Sequence, residues 1–214
     1  MYIPKPFEEP RVDVMHELIR ANPLATLVTQ AADGLNANHI PFHLADIPAP
    51  FGALRGHVAR ANPILGDLEK NKEVLAIFHG PEAYITPSWY ATKQETGKVV
   101  PTWNYAVVHA YGCLRVVEDE AWLRAQLEAL TNDNEAAFSA PWAMSDAPYE
   151  FTQKLLASIV GVEMVITRLS GKWKVSQNQP SQNQASVMLG LKNSDFPDAA
   201  AMLDLVEAAA KNSS

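Results

Sequence analysis

Short runs of apolar residues alternate with turn residues along most of the chain. Apolar side chains recur at helical spacing between Val12 and Ala21, and Asn22-Pro23 follows, so we expect an amphipathic helix there. The turn sequence Ala32-Asp33-Gly34 separates two β-rich runs and predicts a hairpin. The predicted strands are 25–29, 36–44, 54–58, 74–78, 84–86, 102–117, 162–169 and 172–176, the last two joined by a turn at Ser170-Gly171.

A second helix is predicted where Asn62-Pro63 supplies an N-cap and a proline at the first helical position. Its buried face would carry Ile64, Leu65 and Leu68. Further helices are predicted over 120–130, 150–159 and the Ala-rich segment 197–210. The strands come mainly as hairpin neighbours, so we expect a largely antiparallel sheet, and closure into a small barrel would remove its exposed edges. The pattern therefore predicts an α+β protein built on a β-barrel.

Composition narrows the class of protein. The chain has 214 residues, of which 48% are hydrophobic and 19% charged, as in a globular domain. A net charge of -7 and the lack of any Lys/Arg cluster longer than a pair do not favour DNA binding, although a local basic patch stays open. There is no apolar run of 18 residues and no apolar leader, so we expect a cytoplasmic protein without a membrane span. The single cysteine, Cys113, excludes an intramolecular disulfide and is expected to be a buried, inert thiol.

One segment has the composition of an anion site. Arg55 to Pro63 runs from a strand into a helix start, and helix N-termini attract anions. Arg55, His57 and Arg60 lie beside that start, and arginine offers a planar fork to phosphate oxygens. The segment is interpreted as a phosphate pocket, with an ordinary capped helix and solvated arginines as the alternative.

Three other segments combine aromatic and polar residues. Tyr84 to Lys93 is a polar, aromatic loop that suits a planar ligand, or else a surface turn. In Val100 to Tyr105, strand geometry places Trp103 and Tyr105 on one face and Asn104 on the other. This segment is interpreted either as part of a ligand site or as a half-buried strand. In Gly171 to Asn178, lysines alternate with apolar residues, so that one cationic face is either solvent-facing or part of a site.

Metal and hydrolase chemistry are not favoured. The chain has six histidines, but no HxH or HExxH pattern, and His39 and His43 are four apart on a predicted strand. We therefore expect no dedicated metal site. Ser88 and Ser139 lack the sequence context of a nucleophile elbow.

Taken together, these segments resemble the PaiB-type family of FMN-binding negative transcriptional regulators. The resemblance extends to about Leu191. It rests on several long motifs in the same order. They are Met1–Phe7, Asn36–Phe42, Leu54–Pro63, Pro87–Tyr90, Val99–Tyr105 and Lys172–Asn178. We accordingly expect an FMN-binding domain over 1–191 and a C-terminal Ala-rich helical extension over 192–214.

The resemblance implies a split β-barrel, similar to pyridoxamine-phosphate-oxidase-like flavoproteins, that forms a homodimer with FMN at the subunit interface. Along the isoalloxazine it places Asn38, His39, Ile40 and Pro41, and at the phosphate it places His57, Arg60 and Asn62. At the edge of the pocket it places Ser88, Trp89, Tyr90 and Lys93. It implies that the partner subunit contributes Trp103 and Asn104, and it leaves Lys172 and Lys174 as further candidates.

Three functions follow from this resemblance. The first is a flavin-binding repressor that senses flavin, redox or ligand state and acts on DNA or on a protein target. The second is an FMN-dependent oxidoreductase acting on an unknown small substrate, with FMN as the hydride acceptor. The third is a haem-binding or haem-degrading protein of the same barrel type, with a histidine as axial ligand. We favour the first as the function and the second as the chemistry, with the haem protein as a further alternative.

Overall fold

The computed structural model describes residues 1–67 and 73–212, so Leu68 of the second predicted helix lies outside the described residues. The helices are α1 (Val12–Ala21), α2 (Ile64–Asp67), α3 (Lys93–Thr96), α4 (Glu120–Glu135), α5 (Tyr149–Ser158), α6 (Ser181–Lys192) and α7 (Ala199–Asn212). The strands are β1 (Glu8–Glu9), β2 (Leu24–Ala31), β3 (Gly34–Pro41), β4 (His43–Ala45), β5 (Ala53–Ala59), β6 (Glu73–Ile85), β7 (Thr102–Val117) and β8 (Ile159–Lys174).

The strands form one eight-stranded antiparallel sheet with flanking helices. The strand order is β3-β2-β6-β7-β8-β5-β4, and β1 pairs with β8 outside this path. The predicted hairpin is confirmed, since β2 and β3 pair antiparallel from Leu24↔Pro41 to Ala31↔Gly34. Among the described residues, no helix has the length and apolar character needed to cross a membrane.

Several predicted strand boundaries are wrong. The segments 74–78 and 84–86 belong to a single strand, β6, which continues through Gly80 and Pro81. Local turn propensity is overridden there by sheet pairing. Conversely, the predicted strand 36–44 divides into β3 and β4 at Phe42. The Phe42 amide still donates to the Pro23 carbonyl at 2.9 Å, but Pro23 has no N–H to return a bond, so the β2-β3 ladder ends there.

The predicted turn at Ser170-Gly171 is also wrong, because β8 runs unbroken through it. Gly171 pairs with Glu9 of β1 in the ladder. A Cβ at Gly171 would lie 2.9 Å from both the Glu9 carbonyl oxygen and the Met15 sulfur, so this glycine allows close packing rather than a reversal of the chain.

The described residues form two compact units. Unit 1 comprises Met1–Met15, His79–Val108 and Ser170–Ser214, and unit 2 comprises His16–Phe78 and His109–Leu169. The core of unit 1 includes Tyr90 and residues from α6 and α7, of which α6 was not predicted from the sequence. The Ala-rich helix α7 contributes Met202 and Val206 to this core. The assignment of 192–214 as a separate extension stays a prediction.

In unit 2, helix α4 covers part of the sheet. Gly161 of β8 allows this approach, because a Cβ there would lie 2.5 Å from the Trp122 ring. The unit also buries apolar side chains from β2, β5 and β8, including Leu27, Leu54 and Met164. Cys113 in β7 is exposed rather than buried, since its side chain falls on the outer face of the strand.

Candidate functional site

A pair of asparagines in unit 2 leaves a buried amide group without a hydrogen-bond partner among the described residues. Asn62 caps α2, because its Oδ1 accepts from the Ile64 amide at 3.0 Å, which confirms the predicted N-cap. Its Nδ2 therefore faces Asn38 and donates to Oδ1 of that residue at 3.3 Å. The Nδ2 of Asn38 is buried and has no hydrogen-bond partner within the part of the chain that the structure describes. Its two N–H groups are thus donors available to an acceptor.

A second buried polar group lies on the same strand pair. The hydroxyl of Thr29 has no hydrogen-bond partner among the described residues. Thr29 pairs with Asn36 and Leu27 with Asn38, so Thr29 and Asn38 are diagonal neighbours on one face of the β2-β3 ladder. Strand β3 ends the strand order, and β2 is its ladder partner. This edge therefore combines unpaired side-chain donors with peptide groups that can bind a ligand.

Beside these donors, Arg60 supplies a guanidinium group near the start of α2. Its Nη1 donates to Oε2 of Glu118 at 2.8 Å, and its Nε donates to the Ala157 carbonyl at 3.0 Å. Both partners of the ion pair are largely exposed, so the pair contributes little stability and can exchange for another anion.

His57 has a different environment from Arg60. Its Nδ1 lies 3.1 Å from Oε1 of Gln126 on α4, and Nε2 of Gln126 donates to the Arg55 carbonyl at 3.5 Å. Burial lowers the pKa of His57, against the effect of the Gln126 hydrogen bond. The imidazole lines a cavity of about 300 Å³ with mainly apolar walls. These contacts favour a neutral imidazole, and the assignment of His57 to a phosphate stays a prediction.

Arg55 belongs to an ionic network around the buried Glu163. Glu163 accepts from Nε of Arg55 at 2.8 Å and from Nη2 of Arg115 at 2.5 Å. Burial alone would raise the pKa of Glu163, but the hydrogen bonds and charges of Arg115 and Arg55 hold it below its ordinary value. This network occupies Arg55 and was not found from the sequence, because its members lie on three separate strands.

A polar cavity of about 190 Å³ lies within unit 1. Its walls include Lys174, whose ammonium donates to the Thr102 hydroxyl and, at 2.5 Å, to the Trp103 carbonyl. Asn104 is buried there and donates to the Ser176 hydroxyl at 2.9 Å. Burial, and then the charge of Lys172, lower the pKa of Lys174.

Lys172 and Lys174 are therefore not on a solvent-facing cationic surface. Lys172 is buried, and its ammonium lies 5.2 Å from the centre of the Tyr105 ring. Trp103 and Asn104 point to opposite faces of β7, as predicted, with Trp103 about half exposed and Asn104 buried. Trp103 packs edge-on against Tyr84 with ring centres 5.8 Å apart.

The loop after β6 has both polar and packing contacts. Lys93 donates to the Ser88 hydroxyl at 3.3 Å. Tyr90 is buried in the unit 1 core. Trp89 packs against α6 at Gly190, where an added Cβ would lie 2.3 Å from the indole.

The Gln/Asn-rich stretch 177–184 after β8 includes two buried residues, Asn183 and Gln184. Asn183 accepts from the Thr92 amide at 3.1 Å and donates to the Thr92 hydroxyl at 3.0 Å. Gln184 donates to the Gln179 carbonyl at 2.9 Å. These amides hold the chain between β8 and α6 to the loop that carries Tyr90 and Lys93.

The candidate residues thus fall in both units. Unit 2 brings Asn38 and Asn62 into contact, and His39 bonds the Thr26 hydroxyl at 3.2 Å through Nδ1. Ile40 is buried and Pro41 half-buried on the same strand. Unit 1 contains the remaining candidates, which are Ser88, Trp89, Tyr90, Lys93, Trp103, Asn104, Lys172 and Lys174.

Comparison with known proteins gives consistent matches. A family model described as "Putative FMN-binding domain" matches residues 1–168. An uncharacterized protein of Emericella nidulans is 36% identical to this chain, and the match covers 90% of this chain and 91% of that protein. The protease synthase and sporulation protein PAI 2 of Bacillus subtilis is 30% identical, with 97% of each chain covered.

The fold is similar to that of a FAD- and haem-binding protein from Mycobacterium smegmatis. The TM-score is 0.59 at 17% identity, and the match covers 78% of this chain and 73% of the other. Together with the antiparallel sheet, this likeness confirms the predicted α+β split-barrel class. The predicted cofactor, FMN, is the one that the family description names. The chain belongs to the family of FMN-binding domains that the resemblance predicted.

Proposed function

We propose that this protein is a homodimeric, FMN-binding negative regulator whose activity depends on the bound flavin. The observation that carries flavin binding is the unpartnered, buried amide of Asn38 beside Asn62, in a chain of an FMN-binding family. Carbonyl and phosphate oxygens of a flavin are hydrogen-bond acceptors, so they match the donors at this edge.

The residues of unit 2 fit the flavin by their chemistry. Asn38 supplies the two free N–H groups, and the peptide groups of His39 and Ile40 lie on the adjacent edge of β3. Arg60 exchanges Glu118 for the phosphate, because a guanidinium makes stronger, paired hydrogen bonds to phosphate oxygens. Bound FMN supplies a hydride acceptor.

The homodimer completes the pocket with Trp103 of the partner subunit, whereas Asn104 is buried in its own subunit, where it donates to the Ser176 hydroxyl. The exposed Trp103 ring supports this assignment, since aromatic side chains that remain exposed on a folded unit are typical of interfaces. The edge-on contact with Tyr84 holds the ring in a fixed orientation before assembly.

The regulatory part of the proposal rests on the likeness to PAI 2 of Bacillus subtilis, whose name refers to protease synthesis and sporulation and which matches this chain over 97% of its length. A net charge of -7 makes a protein target more suitable than direct DNA binding. The flavin state would then determine which surface the dimer offers to that target.

Transcript profiling tests this proposal in the native host. We would compare a deletion strain complemented with the wild-type gene, with Asn38→Ala, or with Leu35→Ala as a control on the exposed end of the same strand. If the protein is a flavin-dependent repressor, one set of transcripts should rise in the deletion strain and in the strain with Asn38→Ala, but not in the strain with Leu35→Ala. Unchanged transcripts in the deletion strain would contradict regulation and favour the oxidoreductase function.

A further inference from the structure

The cavity beside His57 has the form of a small-molecule site. It measures about 300 Å³, at the lower end of the range typical of ligand pockets. Its apolar walls come from α4, α5 and the segment before α5, and include Leu127, Trp142, Met144, Phe151 and Leu155. The described lining contains no Lys, Arg, Asp or Glu.

The imidazole of His57 offers this cavity one hydrogen-bond acceptor. Gln126 donates from Nε2 to the Arg55 carbonyl, so its Oε1 faces His57 and accepts the proton of Nδ1. The neutral ring then carries its lone pair on Nε2. Burial lowers the pKa of His57, which keeps the ring in this neutral form near neutral pH.

Three hydroxyl groups line the cavity, those of Thr131, Thr152 and Ser158, and two of them donate to backbone carbonyls. Thr152 donates to the Pro148 carbonyl at 3.2 Å, and Ser158 donates to the Leu155 carbonyl at 2.7 Å. Two aromatic side chains, Trp142 and Phe151, are about half exposed at the wall and can cover a planar ring.

We propose that this cavity binds a small, uncharged aromatic molecule that carries one O–H or N–H group, which donates to Nε2 of His57. The apolar walls hold the ring, and the imidazole acceptor fixes its orientation. An anion is disfavoured, because the described lining offers no cation to offset the loss of its hydration. This site goes beyond the proposed function, since it assigns His57 to an uncharged ligand instead of the flavin phosphate and does not involve the asparagine pair.

Three matched probes test the site by calorimetric titration of the purified full chain. They are 2-naphthol with a donor, 2-methoxynaphthalene without one, and 2-naphthoate with a negative charge. We expect 2-naphthol to bind about fivefold more tightly than 2-methoxynaphthalene, the scale of one hydrogen bond, and 2-naphthoate to bind most weakly. Equal affinity for the first two, preference for the anion, or lack of saturable binding would overturn the proposal.

Two variants locate the binding. His57→Phe keeps an aromatic ring but removes the acceptor, so it should abolish the preference for 2-naphthol over 2-methoxynaphthalene. Leu155→Trp, at a half-exposed position of the wall, should weaken all three probes by filling the cavity. Undiminished probe binding in Leu155→Trp would place the probes elsewhere and contradict the proposal. FMN is titrated separately into the wild-type chain and Leu155→Trp, so a failure of flavin binding is seen independently of the cavity.

Discussion

Asn62 donates its side-chain amide to Oδ1 of Asn38 over 3.3 Å, while its own Oδ1 caps α2. The cap fixes the orientation of the Asn62 amide, and the Asn62 amide fixes the orientation of the Asn38 amide. The donors of Asn38 are therefore held in one direction by two consecutive hydrogen bonds. Such an arrangement is prepared to bind an acceptor without further ordering of side chains.

Asn38→Ala should weaken FMN binding about fivefold to tenfold, because it removes a hydrogen bond to a buried acceptor. Leu35→Ala is the matched control, since Leu35 is exposed on the same strand. Fluorescence titration of FMN with both variants gives the two affinities. An Asn38→Ala protein with wild-type affinity would remove this amide from the flavin site.

Arg60→Ala should weaken FMN by about 1.5–3 kcal/mol, the scale of a hydrogen bond to a charged group. Glu118→Gln releases the same guanidinium from its ion pair, so this variant should bind FMN at least as tightly as the wild type. The two titrations form a matched pair. Tighter or unchanged binding in Arg60→Ala, or weaker binding in Glu118→Gln, would contradict exchange of the carboxylate for the phosphate.

Trp103→Ala should weaken dimerisation and FMN binding together if the flavin pocket is shared between subunits. Tyr2→Ala is a control at another highly exposed aromatic residue. Sedimentation velocity measures the oligomeric state over a range of concentrations, and a flavin titration follows on the same samples. A monomeric Trp103→Ala protein with full flavin affinity would show that the pocket is complete within one chain.

Glu163→Gln should lower the free energy of unfolding by about 1–3 kcal/mol, because it removes the charge that pairs with Arg55 and Arg115 in a buried position. The pKa of Glu163 is lowered in the folded state, so its contribution is present above the ordinary carboxyl pKa and is lost as pH falls below about 4.5. Urea unfolding between neutral and acidic pH measures this effect.

The control for this network is Asp46→Asn, which breaks the exposed pair between Asp46 and Arg20. Its stability should change by less than about 0.5 kcal/mol. If Glu163→Gln lost stability in acid as steeply as the wild type, the acid sensitivity would come from another carboxylate.

Gly190→Ala should destabilise unit 1 by about 1–3 kcal/mol, because a methyl group at that position would overlap the Trp89 ring. Gly66→Ala is the matched change in a helix. Among the described residues outside its own helix backbone, no heavy atom lies within 4 Å of the new Cβ, so the change should be neutral or slightly stabilising. Thermal unfolding compares the two variants. Equal stability would mean that Trp89 moves aside without loss of packing.

The sequence predicts the elements that depend on local patterns. The helix at Val12–Ala21, the hairpin at Gly34 and the cap at Asn62 follow from periodicity, turn chemistry and capping, and all three are present. The breaks at Pro81 and Gly171 were wrong because sheet pairing and close packing, which are not local, decided them.

The site shows the same division between local and long-range information. The residue types around Arg60 point to an anion site, and the family resemblance adds the flavin and Asn38. The sequence cannot show that Gln126 orients His57 or that Glu163 engages Arg55. Helical spacing could have drawn attention to Gln126, because this polar residue lies three positions after Leu123 and therefore on the inward face of α4. Its partner could not be identified before the topology was known.

Direct titration of the purified protein with FMN, with hemin titrated in parallel, tests the central claim of flavin binding. The account predicts saturable FMN binding of micromolar or tighter affinity at one flavin per chain, with quenching of flavin fluorescence. Hemin binding without FMN binding, or no saturation by FMN, would contradict it.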